Sequence, residues 1–363
     1  MSNLVLYRKY RPKTFGEVVG QNHVVQTLTN AVSSGLISHA YLFAGPRGSG
    51  KTTIARLLAK SLNCESREEG QFEPCGKCSS CLEISANRAM DLIEIDAASN
   101  RGVDDIRELR EGARFAPAKS KYKIFIIDES HQLSKDAANA LLKTLEEPPS
   151  HAVFILATTE LHKMLPTIIS RCQRFDFRKL TIPEIVGNLE AISKKEGTKM
   201  EKPALDLIAV NSGGSLRDAL GLLNQVMTFG AKSAEEIKDL LGMVDTQTVA
   251  QFAEFLCQKQ GAEAIKYLND ILEKGKDPQD FTKALINYFR QSLVLRISPG
   301  LTNPILVGFS PEEEQTIKGQ VERWNESDLR VALKLFLDAE NKMRHSSIIQ
   351  LPLELAIVEL LSH

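Results

Sequence analysis

The sequence predicts an α/β domain built on a parallel sheet, followed by an all-helical remainder. Three observations lead to that expectation. Four short runs rich in Ile, Val, Leu and Phe lie in the first 160 residues, at Ala40–Ala44, Leu92–Ile95, Lys123–Ile127 and Val153–Ala157. Each is continuous rather than alternating, the pattern of strands buried on both faces. Helical periodicity lies between them. Thr52 to Leu62 puts Ile54, Leu57, Leu58 and Leu62 on one stripe, and Ala137 to Glu147 puts Ala140, Leu141 and Leu145 on another, stopped by Pro148-Pro149. After Thr181-Ile182-Pro183 the strand signal ends. Strands alternating with helices and then helices alone make a doubly wound domain ending near residue 180 with helical domains behind it.

The helical part reads in two stretches. Residues 184–241 form short helices with a break at Gly213-Gly214. Residues 246–360 form longer amphipathic ones, such as Thr248–Cys257, Ala262–Glu273, Phe281–Val294 and Asp328–Lys342. Loops carrying Pro278, Pro299-Gly300 and Pro304 separate them.

Composition narrows the class. The 363 residues are 43% hydrophobic and 25% charged, too apolar for a disordered chain. No run approaches the ~18 apolar residues of a membrane span. The opening stretch, Met1 to Tyr10, is too weakly apolar for a secretory signal, so a cytoplasmic protein with no membrane partner is expected. The net charge of −1 conceals an asymmetry. Residues 1–180 carry 25 basic and 20 acidic side chains (+5), residues 181–243 carry 7 and 9 (−2), and residues 244–363 carry 13 and 17 (−4).

The run Gly45-Pro46-Arg47-Gly48-Ser49-Gly50-Lys51-Thr52 fits the phosphate-loop pattern, with a buried strand before it and an amphipathic helix after it. Glycines let backbone N–H groups wrap phosphates, and the helix N-terminus adds its dipole. Gly45, Gly48, Ser49, Gly50, Lys51, Thr52 and Thr53 are therefore the expected phosphate-binding set. Lys51 would reach the β- and γ-phosphates, and the Thr52 hydroxyl would ligate Mg²⁺. The apolar run Lys123–Ile127 ends in Asp128 and Glu129. Burying two acids is costly unless they face a site. Asp128 is expected to hold Mg²⁺ through its water shell, and Glu129 to orient the attacking water. His131 reads as a polar residue of the next turn.

Four of six cysteines cluster as C-x10-C-x2-C-x2-C: Cys64, Cys75, Cys78 and Cys81. Four thiolates suit tetrahedral Zn²⁺ with no open position, a structural site. An iron–sulfur cluster or a thiol redox pair is the rival. Cys172 and Cys257 read as packing residues.

Taken in order, Arg8-Lys9-Tyr10-Arg11-Pro12, Val18-Val19-Gly20-Gln21, the phosphate loop, the four cysteines, the acidic strand end, the run Leu141 to Pro149, Ala157-Thr158-Thr159 and Ser170-Arg171-Cys172 resemble the gamma/tau subunits of bacterial DNA polymerase III. These are the ATPases of the sliding-clamp loader and members of the AAA+ class. The resemblance implies an AAA+ ATPase domain at 1–180 with an inserted zinc module at about 64–81, a helical lid at 181–243 and a helical collar at 244–363. It implies ATP as substrate, with Arg11, Pro12, Val18 and Val19 around adenine and Thr159 as a γ-phosphate sensor. Arg171 matches the finger that reaches a neighbour's ATP, and Arg217 the sensor arginine of the lid. The implied partners are delta and delta-prime subunits, further copies of itself in a pentamer, the sliding clamp and primed DNA. Arg101, Arg107 and Lys143 are candidate DNA contacts.

Two departures are small: Ser130 follows the acids where Val or Ala is usual, and the Cys64–Cys75 gap is longer than typical. Ending at His363, the chain is expected to be a short form or a truncation, and helicase or polymerase tethering is not assigned to it. The competing functions are another AAA+ DNA motor, for branch migration or helicase loading, and a non-hydrolysing structural subunit of the loader.

Overall fold

A computed structural model describes residues 5–100, 102–240, 244–298 and 311–362. Arg101, the 241–243 stretch and the loop with Pro299, Gly300 and Pro304 lie outside the described residues. The chain divides into two compact units, Met1–Gly197 with Asn211–Gln225, and Thr198–Val210 with Val226–His363.

The first unit holds strands β1 (Ala40–Ala44), β2 (Leu92–Asp96), β3 (Lys123–Asp128), β4 (Ala152–Thr158) and β5 (Gln173–Asp176). Its helices are α1 (Leu6–Lys9), α2 (Asn22–Ser34), α3 (Lys51–Leu62), α4 (Ser79–Ser85), α5 (Val103–Arg114), α6 (Lys135–Glu146), α7 (Pro166–Ile169) and α8 (Ile182–Lys195). The sheet order is β2-β3-β4-β1-β5, and every pairing is parallel. This is the expected fold class. Side chains alternate across the sheet with period two. Tyr41, Phe43, Ile124, Ile126 and Ile155 pack on one face with Leu28 of α2 and Ile54 and Leu58 of α3. Leu42, Phe125, Phe154 and Leu156 pack on the other with Ile106 of α5 and Leu141 of α6.

The strands depart from the sequence reading at both edges. β2 was expected to be buried on both faces, but it is half-exposed because only β3 pairs with it. β5 was not anticipated. Gln173-Arg174-Phe175-Asp176 buries only Phe175, so the segment has none of the continuous apolar character that marks an inner strand.

Asp91, just before β2, shows how the sheet is anchored. Its buried carboxylate accepts N–H bonds from Ala118 (2.7 Å), Lys119 (2.9 Å) and Ser120 (2.8 Å), fixing the approach to β3. Burial opposes the charge, but the three donors outweigh it and hold the carboxyl below its ordinary range.

The second unit contains α9 (Lys202–Asn211, less its last residue), α11 (Ala234–Leu240), α12 (Thr246–Cys257), α13 (Gly261–Glu273), α14 (Pro278–Ile297), α15 (Pro311–Val321), α16 (Glu326–Met343) and α17 (Leu351–Leu361). Helix α10 (Leu216–Phe229) begins in the first unit and ends in the second. The core joins Phe252, Phe281, Phe289, Trp324, Phe336 and Leu353. Phe289 stacks on Phe336 at 5.6 Å and meets Trp324 edge-on at 5.3 Å. Among the described residues no helix is long and apolar enough to cross a membrane.

Replacing Asp91 with Ala strands three N–H groups, and should cost about 2–4 kcal/mol in chemical denaturation of the first unit. Because the carboxyl titrates below its unfolded value, its contribution is present above about pH 4 and fades as pH falls further. The gap between wild type and Asp91→Ala should therefore shrink in acid.

Candidate nucleotide site and cysteine cluster

The phosphate-loop residues sit where β1 ends and α3 begins. The backbone N–H of Gly45 bonds the Thr158 carbonyl at 3.1 Å, so the loop leaves the sheet tied to the end of β4. Two of its glycines are sterically required. Gly45 has φ +150°, and an added Cβ would meet the Phe177 carbonyl oxygen at 2.3 Å. Gly48 has φ +72°, and an added Cβ would lie 1.9 Å from Ser215 Oγ. Ser49 Oγ donates to the Pro46 carbonyl at 2.8 Å. Lys51 Nζ curls back to the carbonyls of Gly45 (2.8 Å) and Pro46 (2.9 Å). Its ammonium is buried, which pushes its pKa down, while Glu129 and Asp128 pull it back.

The acids expected to face the loop do so. Thr52 Oγ1 donates to Asp128 Oδ2 at 2.7 Å, joining the first turn of α3 to the end of β3. Glu129 adopts a left-handed conformation (φ +47°), which turns its carboxylate toward β4. Thr159 Oγ1 donates to Glu129 Oε2 at 2.8 Å. His131 has a larger part here than its place in a turn suggested. Its ring is only 5% exposed and lies 3.0 Å from Thr158 Oγ1, 3.0 Å from Glu160 Oε2 and 3.5 Å from Glu129 Oε2.

Lys51, Thr52, Asp128 and Glu129 border a cavity of roughly 710 Å³, within the usual range for small-molecule sites. Arg11, Pro12, Val18, Val19, Gly48, Ser49, Gly50, Lys51, Thr52, Thr53, Asp128, Glu129 and Arg217 all line it. Gly45 and Thr159 act behind the wall through the bonds given above. Arg217 stacks its guanidinium 5.1 Å above the Tyr7 ring. The sequence reading did not single out Tyr7, Tyr10, Arg56 or Lys60, which also line the cavity. Arg56 pairs with Glu94 of β2 at 2.7 Å. Burial pushes the Arg11 and Lys60 pKa values down, and the charge of Arg56 depresses both further. The cavity is thus lined by crowded, partly desolvated cations, a setting that favours a polyanion.

Gln21 explains the Gly20-Gln21 pair. It is fully buried in a left-handed conformation. Its amide donates to the Arg178 carbonyl at 2.7 Å and accepts from the Arg178 N–H at 3.1 Å. Its second N–H reaches the Ser49 carbonyl at 3.3 Å, which braces the phosphate loop.

Arg171 does not reach this cavity. It is part-exposed and pairs with Glu146 at 2.6 Å while donating to the Thr167 carbonyl at 2.8 Å. Of the other basic candidates, Arg107 is exposed and paired with Asp104 at 3.0 Å, and Lys143 is exposed.

The four cysteines converge. The sulfurs of Cys64, Cys75, Cys78 and Cys81 all lie within 4.8 Å of one another, and those of Cys64 and Cys78 are 4.0 Å apart. A tetrahedral zinc with ~2.3 Å bonds places its sulfurs about 3.8 Å apart, so the set fits that ion. Backbone N–H groups point at the sulfurs: Cys75 to Cys64 (3.3 Å), Lys77 and Cys78 to Cys75 (3.4 and 3.3 Å), and Cys81 to Cys78 (3.5 Å). The two donors at Cys75 hold its thiol down to about 6, whereas burial pushes Cys64 and Cys81 up. Cys172 is buried enough that its thiol rises to about 12, as a packing residue should.

Comparisons with known proteins cover nearly the whole chain. Residues 20–181 match a family model described as DNA polymerase III, delta subunit. Residues 184–232 match the DNA polymerase III clamp loader subunit ATPase lid domain, and residues 232–363 match DNA polymerase III subunits gamma and tau domain III. The DNA polymerase III subunit tau of Bacillus subtilis is 47% identical over 303 residues, which cover 83% of this chain and 54% of that protein. The subunit gamma of Buchnera aphidicola (subspecies Schizaphis graminum) is 36% identical over 361 residues, covering 99% of this chain and 98% of that one. Among solved structures, a Thermotoga maritima RuvB Holliday junction branch migration motor aligns with a TM-score of 0.47 at 18% identity, covering 68% of this chain and 79% of that one. The chain spans about half the length of several tau relatives, 54% for Bacillus subtilis and 46% for Escherichia coli. With its parallel sheet, its phosphate loop set against two acids and these relatives of matching sequence, the chain belongs to the family of DNA polymerase III gamma and tau subunits.

Proposed function

We propose that this chain is an ATP-driven subunit of a bacterial clamp loader, which uses ATP binding and hydrolysis to open a sliding clamp and place it on primed DNA. The observation that carries the reading is the pair of bonds beside the cavity: Thr52 to Asp128 at 2.7 Å, and Thr159 to Glu129 at 2.8 Å. They bring the metal-holding groups and the water-orienting acid to one edge of the sheet, beside a buried lysine.

Lys51 would hold the outer phosphates of ATP as a point charge, and the backbone of residues 45–50 would wrap them. Mg²⁺, ligated through Thr52 and Asp128, would neutralise phosphate charge. Glu129 would orient the attacking water, and Thr159 would link that acid to the presence of the γ-phosphate. Arg11, Pro12, Val18 and Val19 would surround the base. Arg217, on the first turn of α10, would leave Tyr7 for the phosphates.

Arg171 lies outside its own cavity, paired with Glu146, which favours action in trans on the ATP of a neighbouring subunit. Hydrolysis would then need an assembled ring of delta, delta-prime and further copies of this chain, joined through a collar at 244–363. The ATPase domain would be residues 1–180 and the lid 181–243. Zinc on the four cysteines would be structural, because four sulfur ligands leave no open position. DNA would be held by its phosphates, by shape rather than sequence and with a steep salt dependence. All of this would take place in the cytoplasm.

Four outcomes test the proposal. Lys51→Ala should weaken nucleotide binding by roughly two orders of magnitude in a fluorescent-nucleotide titration. Unchanged affinity would remove the site assignment. Arg171→Ala should lower turnover of the assembled complex by about 10³-fold or more with nucleotide affinity retained. Rings mixing Arg171→Ala with Glu129→Gln protomers should regain activity only at interfaces that pair an intact Glu129 with an intact Arg171. Metal analysis of the purified chain should find about one zinc, and iron in its place would overturn the cysteine reading.

A further inference from the structure

The cysteine cluster and the nucleotide cavity are joined by one carboxylate. Glu73 lies two residues before Cys75. Its Oε2 accepts the Phe15 N–H at 2.9 Å, and its Oε1 accepts the Gly16 N–H at 2.9 Å. Those two donors open the 3₁₀ turn Phe15–Glu17, so the carboxylate satisfies N–H groups that the turn leaves unpaired. The neighbouring Phe72 meets the buried Phe15 edge-on at 6.4 Å. On one side of this turn, Arg11 and Pro12 line the cavity; on the other, Val18 and Val19 do. The adenine-side wall therefore hangs on a turn whose outer support comes from the insert.

The insert's own shape depends on closing the loop between Cys64 and Cys75. Cys64 directly follows the C-cap of α3. Arg67 ties the loop back by donating to the carbonyls of Ser61 (2.8 Å) and Gln71 (2.7 Å), and the Ser61 hydroxyl donates to the Phe72 carbonyl. The approach of Cys75 to Cys64, added to these ties, closes the loop that carries Glu73 to the turn. A metal shared by these two sulfurs would fix that approach, and without it the loop would be held by the Arg67 and Ser61 ties alone.

We propose that Glu73 is a positioning residue that couples metal occupancy of the four-cysteine module to nucleotide affinity. The proposal rests on the nucleotide-site reading above. Coupling between two sites is reciprocal: if the bound metal tightens nucleotide binding, bound nucleotide must retain the metal by the same factor.

The test uses the purified full chain, with a fluorescent ADP for affinity and a chelating dye to follow zinc release. Saturating ADP should lower the equilibrium release of zinc from the wild type to the dye, tightening zinc affinity by about fivefold or more, the low end of usual site-to-site coupling. Glu73→Ala should weaken ADP binding by a similar factor and make zinc release indifferent to ADP. Glu73→Gln, which keeps an acceptor oxygen, should fall between. A purely structural role for Glu73 would change the melting temperature without abolishing the effect of ADP on zinc release. Two results overturn the coupling while leaving the nucleotide site standing: ADP that binds the wild type without changing zinc release, or a Glu73→Ala protein with wild-type affinity and wild-type ADP dependence. The wild-type measurement stands even if Glu73→Ala fails to fold. Absence of ADP binding altogether would remove the nucleotide reading and the coupling with it.

Discussion

The site depends on the register of β4 between β1 and β3. All seven residues of β4 are buried, and Ala44 of β1 lies opposite Thr158 while Ile127 of β3 lies opposite Leu156. This alignment brings the phosphate loop, Asp128-Glu129 and Thr159 to one height at the carboxyl edge of the sheet, where ligands of open parallel sheets bind. A slip of β4 by one residue would turn its side chains to the opposite face and move Thr159 away from Glu129. Large buried side chains on both faces, among them Phe125 stacked on Phe154 at 5.1 Å, make that slip costly.

Charge is arranged around this edge in two layers. Asp128 and Glu129 accept hydrogen bonds from the Thr52 and Thr159 hydroxyls, which keeps two neighbouring acids oriented. Around them stand Arg11, Lys51 and Lys60, whose burial already disfavours their charged forms. A cavity with desolvated cations is poised for an anion, because the incoming charge replaces the water those cations have lost. His131 lies beside Glu129, its ring 3.5 Å from that acid and 3.0 Å from both Thr158 and Glu160.

How much of this was legible in the sequence follows from what each residue does. The inner strands could be read because burial on both faces demands an unbroken apolar run. β5 could not, since an edge strand with one buried residue looks like a loop. The phosphate loop and the cysteines were legible because their chemistry fixes spacing along the chain. Gln21 was not, because its amide serves a backbone 157 residues away and no local pattern records that. Arg56 and Lys60 look like the solvated face of a helix until the cavity shows what they face. Arg171 and Arg217 were read through family resemblance alone. Arg217 does line the cavity, while Arg171 lies apart from it on Glu146.

The strand order also matters while the chain is being made. β1 is complete at Ala44, yet both of its neighbours come from far downstream, the nearer beginning at Ala152 and the other at Gln173. At the usual ~5–20 residues per second of synthesis, roughly 110 residues of growth leave this apolar strand without its partners for about 5–20 s. During that interval the nascent chain exposes two unpaired strand edges of Ala-Tyr-Leu-Phe-Ala. A topology that assembles the finished site from distant segments thus commits each new copy to a period of vulnerability on the ribosome, in which α2 and α3 are the native elements already made that can shelter β1.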